Sequence, residues 1–221
     1  GLEPPAGTLT ITTSNGTITL LFGGPTAIGN QRYLKRADQP SVFVISPRLF
    51  EVFDKPVDTY RSHELLRFDP QQITEIAVTS PTVSYTVKKE SDGWQLTAPF
   101  ASKADATQAS MMLSRLRNLR LDQFISDAPE AAQLAEWGLD EPEIRVRVSV
   151  ANAASPLELW IGKPTNEEAT HRYAKRTDSP TVASITKAWI DELLQDPNEL
   201  LPRTLFEFAL DQVIRFEIRW E

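Results

Sequence analysis

At 221 residues the chain is long enough for one large domain or for two smaller ones with separate cores. Its 23 basic and 30 acidic residues leave a net charge of −7, which argues against a nucleic-acid backbone as partner. The absence of cysteine excludes disulfides, thiolate nucleophiles and the common zinc and iron–sulfur sites.

The elements in chain order are predicted largely by an internal repeat. Gly1-Leu2-Glu3-Pro4-Pro5 matches Gly138-Leu139-Asp140-Glu141-Pro142. Alternating stretches follow, Leu9-Thr10-Ile11-Thr12 in the first copy and Ile144-Arg145-Val146-Arg147-Val148 in the second, and period-two alternation predicts half-buried strands. Each turns back, at Ser14-Asn15-Gly16 and at Asn152-Ala153-Ala154-Ser155, into a strand ending Leu21-Phe22-Gly23-Gly24-Pro25-Thr26 or Trp160-Ile161-Gly162-Lys163-Pro164-Thr165. Arg32-Tyr33-Leu34-Lys35-Arg36 then matches Arg172-Tyr173-Ala174-Lys175-Arg176, and Val42-Phe43-Val44-Ile45 matches Val182-Ala183-Ser184-Ile185. A short helix follows each, capped at Ser46 or Thr186, with Leu49, Phe50 and Phe53 matching Trp189, Ile190 and Leu193 as its apolar stripe. Pro56 and Pro197 end these helices. A closing strand is expected in each copy, with Ile76 and Val78 matching Phe216 and Ile218 on one face and Arg215, Glu217 and Arg219 on the other.

Between the copies the pattern changes. Val83 to Lys88 reads as a strand that turns at Ser91-Asp92-Gly93 into Trp94-Gln95-Leu96. A helix is expected from a Ser102 cap to about Leu119, with Ala109, Met112, Leu113 and Leu116 on its apolar face. A second helix is expected from Pro129 to Trp137, where Gly138 takes the left-handed conformation of a helix stop. Because Gly1-Leu2 repeats Gly138-Leu139, the chain is expected to open just after such a helix.

The Gly93-Trp94-x-Leu96-x-x-Pro99 turn, the Ala104-Asp105 helix start, the Trp137-Gly138-Leu139-Asp140-x-Pro142 helix end, the Trp160-Ile161-Gly162 strand end and Arg172-Tyr173 resemble a bacterial family known as domain of unknown function 4340. The resemblance implies an extracytoplasmic protein, anchored by an N-terminal membrane helix outside this sequence and encoded near ABC-type export genes of the gliding-motility auxiliary kind. It carries no established activity and no functional residue.

Candidate sites are few. Arg32, Lys35 and Arg36, with Arg172, Lys175 and Arg176, present a doubled basic strand suited to an anion or an acidic partner. The competing reading is a solvated or edge-guarding strand, and recurrence favours it, since fold-determining residues must appear in both copies. Gly23-Gly24-Pro25-Thr26-Ala27-Ile28-Gly29 lacks the Gly-Lys-Ser/Thr ending of a phosphate loop and reads as a connection. His63 and His171 sit in no ligand cluster, and Glu167-Glu168 and Asp191-Glu192 are neighbours that point apart. Arg115, Arg117 and Arg120 read as the solvated side of a helix, and Trp94, Trp137, Trp160 and Trp189 as packing anchors.

The expected fold is α+β: antiparallel β-hairpin sheets with three or four short helices and internally repeated β-rich half-units. The expected division is 1–72 as the trailing half of a first unit, 73–210 as a complete second unit with its helical insert at 102–137, and 211–221 as the opening strand of a third. The leading functional reading is a non-enzymatic interaction module with a protein partner in the cell envelope, without cofactor, metal or nucleic acid. The alternative is a carbohydrate or peptide sensor with a groove between the two modules. Any enzyme reading requires titratable groups that converge in one cleft.

Overall fold

The structure is a computed structural model in which residues 2–27, 29–204, 213–215 and 217–219 are described. It divides into two compact units, Gly1–Arg61 and Ser62–Glu221. The class is α+β, with two antiparallel sheets and four α-helices among the described residues.

In the first unit, β1 (Gly7–Thr13), β2 (Gly16–Pro25), β3 (Arg32–Arg36) and β4 (Val42–Ile45) form a sheet in chain order. Thr13 pairs with Gly16 across the Ser14-Asn15 loop, where Gly16 holds φ at +132°, a value side-chain-bearing residues avoid. Helix α1 (Pro47–Glu51) follows, with Pro47 in its first turn and the Ser46 hydroxyl accepting from the Arg48 amide at 3.4 Å. A 3-10 turn, Val57–Tyr60, closes the unit.

The second unit opens differently. After a 3-10 turn at Pro70–Gln72, strands β5 (Ile73–Thr79), β6 (Ser84–Glu90), β7 (Gly93–Ala98) and β8 (Ser102–Lys103) meander outward. Helix α2 (Ala106–Asn118) then carries the chain back to β9 (Phe124–Ser126) and α3 (Ala131–Glu136). Strand β10 (Ile144–Val150) pairs with β5, and β11 (Leu157–Pro164), β12 (His171–Arg176) and β13 (Val182–Thr186) extend the sheet until β13 meets β9. Nine strands result, in the order β8-β7-β6-β5-β10-β11-β12-β13-β9, with every neighbour antiparallel. Helix α4 (Lys187–Leu193) and a 3-10 turn, Pro197–Leu200, follow β13.

Alternation puts Ile76, Val78, Val87, Leu96, Val146, Val148, Leu159 and Ile161 on one fully buried face. Helix α2 packs there with α4, and its Ala109, Met112, Leu113 and Leu116 are all buried, as its spacing predicted. Burying each large side chain contributes about 1.5–3 kcal/mol. Tyr85 reaches from β6 to donate to the Leu193 carbonyl at 2.9 Å, with its oxygen 3.3 Å from Met112 Sδ.

The repeat is visible in three dimensions. Gly7 faces Phe22 across β1–β2 as Ile144 faces Ile161 across β10–β11. The register then shifts at the same place in both copies, between Phe22 and Pro25 and between Ile161 and Pro164. The turns after β3 and β12 are tied alike, Ala37 donating to the Thr19 carbonyl and Thr177 to the Glu158 carbonyl.

Several boundaries differ from expectation. Ser102 does not cap α2: it pairs with Leu96 in β8, and the Asp105 carboxylate caps instead, accepting from Thr107 and Gln108 at 2.8 and 3.0 Å. Thr186 makes no side-chain cap, because β13 runs through it to pair with His171. Helix α3 starts after Pro129, its capping residue Glu130 donating its amide to Gln133 Oε1 at 2.9 Å. The spatial division falls after Arg61; Leu65 and Leu66 belong to the core of the second unit, where Leu65 donates to the Leu119 carbonyl. The strand expected over 211–221 falls partly outside the described residues; 213–215 and 217–219 have no regular secondary structure.

The joint between α3 and the β10–β11 hairpin is tight. Gly138 holds φ at +66° as the helix stop, and Lys163 donates to the Trp137 carbonyl at 2.8 Å. A Cβ at Gly162 would lie 2.1 Å from that carbonyl oxygen, so only glycine fits. Gly162→Ala is expected to destabilise the second unit by about 2–4 kcal/mol through forced backbone displacement. A urea midpoint unchanged from wild type would refute this.

Candidate functional site

The six cations of the doubled basic strand do not converge within either copy. Side chains alternate across a strand, so Arg32 and Arg36 face one side of their sheet and Lys35 the other, and Arg172 and Arg176 are likewise separated from Lys175. Arg32 donates to the Gly23 carbonyl at 3.4 Å and lies 3.9 Å above the Phe50 ring. Arg36 Nε stands 2.7 Å from Asp38 Oδ1, a close ion pair that lacks hydrogen-bond alignment. Arg172 pairs with Glu143 at 2.6 Å, Arg176 with Asp178, and Lys175 donates to the Arg176 carbonyl at 3.1 Å. Tyr173, between them, stacks on Trp137 with ring centroids 5.2 Å apart.

The other sequence candidates are engaged locally. His63 Nδ1 is 3.1 Å from the Leu121 carbonyl and its ring meets Phe124 edge-on. His171 lies 3.5 Å from Asp122 and 3.0 Å from the Thr170 hydroxyl. No group of three His, Asp or Glu side chains able to hold a metal occurs among the described residues. Arg115 pairs with Glu192 at 3.6 Å, whereas Arg117 and Arg120 line a polar cavity of about 310 Å³ with Arg67 and Glu64, the last 3.5 Å from Arg120.

What pattern-reading missed is an apolar surface on the first unit. Phe22 is its one buried large hydrophobic among the described residues, against 29 buried hydrophobics in the second unit. Val42, Phe43 and Val44 on β4 are each about half exposed, and Leu49, Val52, Phe53, Val57 and Tyr60 on the elements that follow are exposed too. Below this surface Gly7, Leu9, Phe22, Phe50, Phe53 and Tyr60 line a cavity of about 320 Å³. Phe22 meets Phe50 edge-on at 5.4 Å and Phe53 at 5.9 Å.

Several matching positions of the second unit are covered, although Glu192, the match of Val52, is exposed. Val182, Ala183, Ser184 and Ile185 are buried on a strand whose outer edge pairs with β9, and Leu193 and Leu200 are buried close to α2. One signal was legible: Phe43 and Val44 stand where Ala183 and Ser184 stand in the other copy. That difference identifies bulk without saying whether anything covers it.

The chain belongs to the family described as Domain of unknown function (DUF4340), whose model matches residues 1–133 and again 94–221. The two matches overlap over 94–133, the stretch that holds α2 and β9. No curated protein and no solved structure matches the chain significantly. No helix among the described residues is long and apolar enough to cross a membrane.

The exposed Arg176–Asp178 pair shifts its own titration. The Arg176 hydrogen bond holds the Asp178 carboxyl below the usual carboxylate range, and Asp178 raises Arg176 in return. The lowered carboxyl stabilises the fold above its unfolded pKa, and that contribution is lost as pH falls through the folded value. Solvent screening limits the pair to under about 1 kcal/mol. Asp178→Asn is therefore expected to lower stability slightly at neutral pH, with the difference from wild type vanishing in acid. A difference that grows on acidification would contradict this.

Proposed function

We propose that the chain is a non-enzymatic interaction module, acting on the extracytoplasmic side as an accessory of an ABC-type envelope transport system. The observation that carries the binding role is the group of exposed apolar residues on β4, α1 and the Val57–Tyr60 turn. Single exposed hydrophobics are ordinary on a protein surface, but several on consecutive elements beside the edge strand of a sheet invite a protein partner. The envelope location and the transport association rest on the family resemblance alone.

A second reading is a ligand sensor whose binding place lies inside the first unit. It is favoured by the rings of Phe22, Phe50, Phe53 and Tyr60 around one cavity, with Asp54 at its wall. Apolar walls with a few polar groups suit a sugar or a peptide side chain.

The readings separate under photo-crosslinking. With a photoreactive residue at Phe43 in the full-length protein in its native cells, covalent capture of an envelope protein is expected. The same residue at Lys88, exposed on the second unit, is expected to give no such product. Capture from neither position, with oligosaccharides or peptides shifting the Phe50 and Phe53 ring resonances, would favour the sensor and overturn the interaction role.

A further inference from the structure

The second unit contains a template for what the first unit binds. In both, a four-stranded meander, a short helix and a 3-10 turn follow one another with the same register shift between the second and third strands. In Ser62–Glu221 this half is covered by two further pieces. Helix α2 packs against α4 and the Pro197–Leu200 turn, with the Asp105 amide bonded to the Leu200 carbonyl at 2.7 Å. Strand β9 seals the edge of β13, Ser184 donating to the Gln123 carbonyl and accepting from the Asp122 amide, both at 2.8 Å.

We infer that the open face of Gly1–Arg61 is a docking site for a helix–strand element of this same repeat, equivalent to α2 and β9. The element lays its apolar helix face over α1 and the Val57–Tyr60 turn, and its strand runs antiparallel along β4. The positions correspond one by one. Tyr60 is 57% exposed where Leu200 is 3%, Phe53 44% where Leu193 is 2%, and Val44 52% where Ser184 is 3%. Tyr60, Phe53 and Val44 thus match positions that are closed in the second unit near α2 or β9, whereas Val52 matches the exposed Glu192, and one occupant accounts for the helix, the turn and the strand edge together. This rests on the interaction role proposed above and names the partner's chemistry.

The occupant is not an intact second copy of this chain, because α2 and β9 of any such copy already cover their own sheet. Its sequence also departs from α2. Glu192, which pairs with Arg115 at 3.6 Å, is matched by Val52, so an apolar residue rather than arginine belongs opposite Val52. Gly7 stands where Ile144 fills the core, and the cavity beneath Phe50 and Phe53 is left for a larger side chain.

The test uses the whole chain and two fluorescent peptides spanning 105–126, one native and one carrying Arg115→Leu. Saturable binding of both is expected, with the Arg115→Leu peptide about tenfold tighter, since a leucine is buried where a charge would be left unpaired. Amide exchange of Val42–Ile45 is expected to slow in the complex. Phe43→Lys and Phe53→Asp, both at exposed positions, are each expected to weaken binding at least about tenfold. No saturable binding of either peptide, or binding that both variants leave unchanged, would overturn the inference. Self-association of the chain with Val42–Ile45 protected and no peptide present would overturn it too, by making a second copy the occupant. Envelope-protein capture at Phe43 without peptide binding would sink this inference and leave the broader interaction role standing.

Discussion

An antiparallel sheet with one apolar face is stable only when something lies on that face, and most of this molecule follows from how the requirement is met. In Ser62–Glu221 the chain leaves the sheet at β8, crosses its face as α2 and re-enters at the far edge as β9. One excursion therefore covers the apolar face and seals an edge that would otherwise offer free amides and carbonyls. The buried Tyr85 joins the layers through Leu193, and its hydroxyl is held well above the usual phenol range, chiefly by desolvation and against the opposing charge of Arg115. In Gly1–Arg61 the same β-rich half has many of its apolar positions exposed, on β4, α1 and the Val57–Tyr60 turn.

A second constraint sets where the β-rich half attaches. Helix α3 stops at Gly138, and the Trp137 carbonyl takes a hydrogen bond from Lys163, close against the Gly162 backbone. The Trp137 ring then stacks on Tyr173 from β12. Helix end, hairpin and third strand are thus tied at one point, which accounts for tryptophan, glycine and tyrosine recurring among the residues that resemble the family. The doubled basic strand has a similarly local role. Its arginines pair with neighbouring carboxylates or rest on a ring, and alternation sends Lys35 and Lys175 to the face opposite the arginines of their strands.

Legibility varied with the range of the interactions concerned. Hairpins β1–β2 and β10–β11, the α2 face and the Gly138 stop depend on residues within a few positions of one another, and all were readable. Ser102 misled because the strand partner that decides its fate, Leu96 on β7, lies across a turn and competes with a nearby helix cap. Strand β9 went unread because Phe124-Ile125-Ser126 is short and its partner is β13, far along the chain. Leu65 and Leu66 looked like the tail of the first copy, yet they pack in the second core. The candidate surface was the least legible part: Val42-Phe43-Val44 reads as an ordinary buried strand, and its exposure depends on what the fold places beside it.

The order of residues alone therefore established the repeat, the antiparallel α+β class, the family resemblance and the absence of cysteine chemistry. All of these are carried by local pattern or composition. Folding in three dimensions settled which copy of the repeated half is covered, because cover comes from α2 and β9, elements remote in sequence from the strands they protect. It also separated the basic residues that the sequence lists side by side, since neighbouring positions on a strand point to opposite faces. The same four-stranded half is thus part of a closed core in one unit and an open apolar surface in the other.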